Sequence, residues 1–131
     1  MNSFDIKTRS REALVDITAD VERVVAASGI ADGVCVVAVP HTTAGVTVNE
    51  NADPDVRADI LTALRRAVPD SVEYAHTEGN GPAHVKTSLV GSSATLLVEG
   101  GRLKLGTWQA VFLCEFDGPR TRRAWVRVVG S

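Results

Sequence analysis

The chain has 131 residues, 44% hydrophobic and 23% charged, with 14 Lys plus Arg against 16 Asp plus Glu and a formal net charge of −2. That length suits one domain spanning 1–131, since two would each be too small for a good core. The balance excludes a disordered chain, and the absence of a basic excess or basic tail argues against an electrostatic nucleic-acid binder. No apolar run approaches the roughly 20 residues of a membrane crossing, and residues 1–9 lack the basic-then-apolar order of a secretory signal. Cytoplasmic residence is the expectation. Cys35 and Cys114 each sit in an apolar run and read as small buried hydrophobes of a reducing compartment.

In chain order, 3–9 and 12–17 read as neighbouring strands with a turn at Ser10-Arg11. Thr18 is placed to cap a helix whose apolar face is Val21, Val24 and Val25, ending at Ser28-Gly29. The run 34–39 is β-branched, bounded by Gly33 and Pro40, and fits a strand covered on both faces or central to a sheet. A short strand follows at 46–48. Asp53 as N-cap with Pro54 at the first helical position opens the clearest helix, with Val56, Ile60, Ala63, Leu64 and Ala67 as its buried stripe and Pro69 as its stop. A polar link over 70–82 precedes a short helical stretch at 83–90. Strands at 93–98, 102–105, 110–116 and 123–129 complete the chain, with a turn at Asp117-Gly118-Pro119. Eight strands and two or three helices define an α+β domain with a largely antiparallel sheet.

The three histidines, His41, His76 and His84, all fall at element ends or in loops, where a scaffold presents reactive groups. Three imidazoles would suit zinc or another transition ion with an open position for water or substrate. They equally suit proton transfer or phosphate binding near neutral pH. Scattered surface histidines are the bland alternative, since no HExxH or CxxC spacing is present. Glu50, between Asn49 and Asn51, is a candidate base, ligand or partner of a histidine, or simply part of a turn. Asp53 is better explained as the cap. Lys86 would hold an anion near a helix start, or lie solvated at the surface. Arg102 with Thr107, Trp108 and Gln109 forms a polar and aromatic group that would contact a ligand or a subunit, or pack into the core. Glu115, inside an apolar strand, needs a donor, and Arg120, Arg122 or Arg123 would supply it. Nothing supports a covalent nucleophile.

Four blocks in order resemble the YjbQ/UPF0047 family, described as secondary thiamine-phosphate synthase enzymes. They are Pro40-His41-Thr42-Thr43-Ala44 with Asn49-Glu50-Asn51-Ala52-Asp53-Pro54; His76 to Asn80 with Ala83-His84; Gly91-Ser92-Ser93; and Gly101-Arg102-Leu103 with Leu105-Gly106-Thr107-Trp108-Gln109, Glu115-Phe116 and Gly118-Pro119-Arg120. The match is looser around Thr77-Glu78 and Gly81-Pro82. The resemblance implies a compact α/β sandwich that assembles as a homotrimer. It also implies a common pocket for His41, His76 and His84 near a subunit boundary, holding a divalent metal. Glu50 joins the histidines as a catalytic position, and Asn80, Arg102, Thr107, Trp108, Gln109 and Arg120 are carried over as substrate-binding positions, to which the residue reading adds Lys86.

The implied transferase joins a hydroxymethylpyrimidine diphosphate to a thiazole phosphate and releases pyrophosphate. That reaction needs a surface for phosphates and stabilisation of the leaving pyrophosphate. Three imidazoles favour zinc or another transition ion over magnesium, which prefers oxygen. Two other readings stand beside it: a metal-dependent enzyme with another small substrate, and a binding or structural trimer with no turnover.

Overall fold

A computed structural model describes residues 2–131; Met1, which the single-domain reading includes, lies outside the described residues. In chain order the elements are β1 (Asn2–Lys7), β2 (Ala13–Asp16), α1 (Thr18–Ser28), β3 (Gly33–Ala38), β4 (Ala44–Glu50), α2 (Pro54–Ala67), α3 (Gly81–Val90), β5 (Ser93–Glu99), β6 (Arg102–Leu103), β7 (Gln109–Glu115) and β8 (Thr121–Gly130). The strands form a five-stranded sheet, β1-β8-β3-β5-β6, and a three-stranded sheet, β2-β7-β4. Every pairing is antiparallel. The mixed α+β fold is therefore as the sequence suggests, divided into two sheets. No helix among the described residues is long and apolar enough to cross a membrane.

The two sheets face each other over one core. Val37, Val126, Leu96 and Cys35 point in from the larger sheet, and Val46, Val111 and Leu113 from the smaller one, with Val21 and Val25 of α1 inserted beside them. The strand period of two then sends Phe112, Cys114 and Ala110 to the opposite face of β7, where Ile60, Leu61 and Leu64 of α2 cover them. That double cover explains why β7 is apolar on both faces. Both cysteines are free and buried, and burial pushes the Cys35 thiol up to about 11 and that of Cys114 to about 12.

Among the described residues, no element covers the outer face of the larger sheet. Cross-strand rows there join Val34 to Val129 and Leu97, and Ala38 to Trp125. Leu97 is 62% exposed, Val129 49% and Trp125 40%.

Two local expectations are corrected. β1 and β2 do not pair with each other: β1 joins β8 in one sheet and β2 joins β7 in the other. The link between them lacks a tight-turn dipeptide, and the chain uses it to cross between sheets. Thr18 is not a cap either, since its hydroxyl accepts the Val111 amide at 2.9 Å, while the Asp16 carboxylate accepts the Thr18 amide. Asp53 caps α2 as expected, accepting from the Asp55 amide at 2.9 Å.

One buried ion pair ties the layers together. Glu115, at the end of β7, is fully buried and pairs with Arg122, near the start of β8. Burial alone would raise the Glu115 carboxyl, but donors from Arg122, Thr8 and the Asp117 amide outweigh it and hold it below the usual carboxylate range. The remaining reach of the guanidinium goes to Thr43, with Nη2 donating to Oγ1 at 2.8 Å and to the carbonyl at 3.2 Å. Arg122→Ala strands the buried carboxylate and is expected to cost about 3–5 kcal/mol in denaturant unfolding. Arg65→Ala, which removes a half-exposed partner of Glu12, is expected to cost under about 1 kcal/mol. Equal losses in the two variants would contradict this assignment.

Candidate functional site

The loop after β3 carries His41. β3 ends before Pro40, which has no amide to continue a ladder. Beside that break the Arg123 amide of β8 donates instead to His41 Nε2, at 2.9 Å. The same corner is fastened by Arg122 on Thr43, so the imidazole and the loop that bears it are both held by β8. Burial lowers the His41 pKa below 6.5 and the Arg122 charge adds to it, against an opposing pull from Glu115, while Arg120 also lowers it.

α3 supplies the facing wall. His84, Thr87, Ser88 and the following Gly91 fall on one side of this helix at spacings of three and four. With His41, Thr42 and Ser92 they line an open cleft of about 400 Å³. A close approach builds it: a Cβ on Gly45 would meet the Gly91 carbonyl at 2.5 Å, and the Val46 amide donates to that carbonyl at 3.1 Å. Gly91 itself has φ +98, which a side chain disfavours. Thr87 is 7% exposed and its hydroxyl has no partner among the described residues. Ser88, by contrast, donates back to the His84 carbonyl at 3.1 Å.

His76 lies on the far side of His84. Their rings meet edge to face, with centroids 5.1 Å apart. His76 lines a second cleft of about 370 Å³ with Arg11, Asp70, Tyr74 and Thr77. The structure thus brings His41 to His84, and His84 to His76, but not all three to one point. Among the described residues no three His, Cys, Asp or Glu side chains converge as a metal site. His41 also fails the fit on its own, because the lone pair of Nε2 is taken by the Arg123 amide. His76 and His84 are the two rings close enough to share an ion.

The other expected site residues divide into three groups. Asn80 precedes α3 and its side chain donates to Asp117 at 2.9 Å, with its own Oδ1 buried and without a partner among the described residues. Arg120 donates to the same Asp117 carboxylate at 3.0 Å, so these two brace the β7–β8 turn behind the histidines. Lys86 does not face either cleft lining. It is buried and its ammonium donates to Glu12 at 2.7 Å, because the polar face expected at this turn of α3 packs inward. Arg65 of α2 meets the same carboxylate at 2.6 Å.

Glu50, Thr107, Trp108, Gln109 and Arg102 lie elsewhere. Glu50 is paired in register with Gln109 at the end of β4, about 20 Å along the strand from the His41 end. The Asn51 amide donates to the Trp108 carbonyl at 2.9 Å, and Gln109 accepts from the Gly106 amide at 2.8 Å. Trp108 is 63% exposed, so it is not a core residue of this chain. Thr107 is exposed, and Arg102 is exposed at the sheet edge near Glu22. Sequence reasoning missed the Arg123 amide and Thr87. Nothing in the residue order marks the amide, whereas Thr87 was findable from its three-residue spacing to His84 once the helix was placed.

The family pattern of the UPF0047 YjbQ-like proteins matches residues 2–131, and the chain belongs to that family. The UPF0047 protein MJ1081 of Methanocaldococcus jannaschii is 49% identical over 128 residues, covering 98% of this chain and 93% of its own. YugU of Bacillus subtilis is 47% identical over 131 residues, covering 99% of each. A crystal structure of an uncharacterised family member from Clostridium acetobutylicum superposes with a TM-score of 0.96 at 49% identity, over 98% of this chain and all of that one.

The His41 geometry sets a titration expectation. Its folded pKa lies below that of the unfolded chain, so the unfolded state binds more protons as pH drops. This ring therefore contributes stability above pH 6.5 that is lost as pH falls through its folded pKa. Nitrogen NMR well above pH 6.5, where the ring is neutral, should show His41 as the Nδ1–H tautomer; the Nε2–H tautomer there would contradict the bond from Arg123.

Proposed function

We propose that this protein is an enzyme acting on a small phosphorylated molecule bound between His41 and His84, with thiamine-phosphate synthesis as its candidate reaction. The observation that carries the reading is the cleft lining: two imidazoles and four hydroxyl side chains, with no acidic residue among them. Such a surface accepts a phosphate oxygen and repels no negative charge. In the candidate reaction the thiazole nitrogen bonds to the methylene carbon of the pyrimidine, the carbon–oxygen bond to the diphosphate breaks, and pyrophosphate leaves with the electron pair. His84, half-buried on α3, is the group placed to give that leaving oxygen a proton. A cytoplasmic setting suits a chain whose two cysteines are buried thiols.

A homotrimer is part of this proposal. It would give a partner to the bare apolar rows around Trp125 and Leu97, and to Trp108 at the far end of β4. A metal-dependent reaction is the second reading, favoured by the edge-to-face pair His76 and His84. A zinc-like ion there would act as a Lewis acid on a phosphoryl oxygen, with the pair as its protein ligands.

Two experiments test these readings. Given the pyrimidine diphosphate and thiazole phosphate together, the protein should release pyrophosphate steadily, and His84→Ala should lower kcat at least about 100-fold while the fold is retained. No release, or unchanged kcat in that variant, would sink the synthase reading. Elemental analysis of untagged protein, with mass in solution measured in parallel, should give three chains per particle. About one transition ion per chain, lost in His76→Ala and in His84→Ala but kept in His41→Ala, would establish the metal reading. A monomer would refute the trimer, and no metal uptake on reconstitution would refute the ion.

A further inference from the structure

Resting on that reading of the cleft, we propose that His41 is its fixed hydrogen-bond donor, presenting Nδ1–H to a terminal phosphoryl oxygen of the bound molecule and serving neither as base nor as metal ligand. The geometry begins with a bond that runs in one direction. A backbone amide nitrogen donates and has no lone pair to offer, so His41 Nε2 at 2.9 Å from the Arg123 nitrogen must be the acceptor. A neutral imidazole whose Nε2 lone pair is occupied carries its proton on Nδ1. The one ring nitrogen left over is then a donor with no lone pair, able neither to take up a proton nor to coordinate an ion.

The surroundings fit an oxyanion. None of the other residues lining the cleft is acidic, and Thr42 and Ser92 add exposed hydroxyls at its mouth. A cation would meet no opposite charge there, whereas a phosphoryl oxygen meets donors. The donor is also held in place: Arg122, next in sequence to Arg123, is locked onto Glu115 and onto Thr43, two residues beyond His41. The two imidazoles therefore divide the work. His41 reads the phosphoryl end, and His84 is left as the ring free to exchange a proton.

Inorganic phosphate is the probe, with its binding to the full chain measured by calorimetry and the fold of each variant checked by circular dichroism. His41→Ala should weaken binding about tenfold or more, the loss of one hydrogen bond to a charged acceptor. His41→Asn places an amide N–H where Nδ1 stands and offers no imidazole base, so it should hold phosphate within about threefold of the natural chain. Equal weakening in both variants, unchanged binding in His41→Ala, or no phosphate binding to the natural chain would each overturn the proposal. These outcomes are separable from the synthase test. Phosphate held through His41 without turnover leaves the donor role standing and removes the reaction, and turnover with phosphate indifferent to His41 does the reverse.

Discussion

The buried pair between Glu115 and Arg122 is the constraint on which the rest of the molecule depends. Two charges withdrawn from water are tolerated only when nearly every donor and acceptor is matched. Here the Glu115 carboxylate collects Thr8 from the end of β1, Arg122 from β8 and the Asp117 amide from the turn. The guanidinium spends its other reach on Thr43, just before β4. Three segments distant in sequence, around Thr8, around Thr43 and over 115–122, are thereby brought to one point between the two sheets. A shift in any of them would leave a buried charge short of a partner, so the corner admits little play.

The cleft inherits that rigidity. One wall hangs from the corner through Thr43 and the Arg123 amide, and the other is α3, fastened from behind by Lys86 and Glu12. Where the walls meet, β4 passes so near Gly91 that Gly45 has no room for a side chain. Burial here serves position: a charged lysine is withdrawn from solvent so that the neighbouring turn can present His84 and Thr87. Every polar side chain lining the cleft is a hydroxyl or an imidazole, carried on these two walls.

Much of the fold was legible in the residues. The Asp53-Pro54 start of α2, the β-branched run of β3 and the glycines closing α1 and α3 each carry their local cause with them. The partners of β1 and β2 were not, because a strand's alternation says which face is buried and nothing about which edge it joins. The same limit applies to the site. The three histidines stood out by position, and two of them do share a cleft, but Lys86 was read as solvent-facing or anion-binding when its ammonium is the buried partner of a residue 74 positions away. Trp108 and Glu50 were grouped with the histidines through motif resemblance, and the length of β4 sets them apart within one chain.

What the sequence determined by itself was local: where the clearest helix starts, that 34–39 is a central strand and 110–116 an apolar one, that Glu115 needs a donor, and, through four ordered motifs, which family the chain resembles. These follow from backbone preferences and from the cost of burying particular side chains, which act over a few residues. Tertiary structure alone decided which arginine answers Glu115, that the smaller sheet is separate from the larger, and which nitrogen of His41 is free. Each of those depends on atoms brought together across 80 or more positions, such as the 82 between His41 and Arg123 and the 107 between Thr8 and Glu115, or on the turn that returns Arg122 to Glu115. Hydrogen bonds are short and directional, so such contacts exist only after the sheets have packed, and no spacing along the chain encodes them.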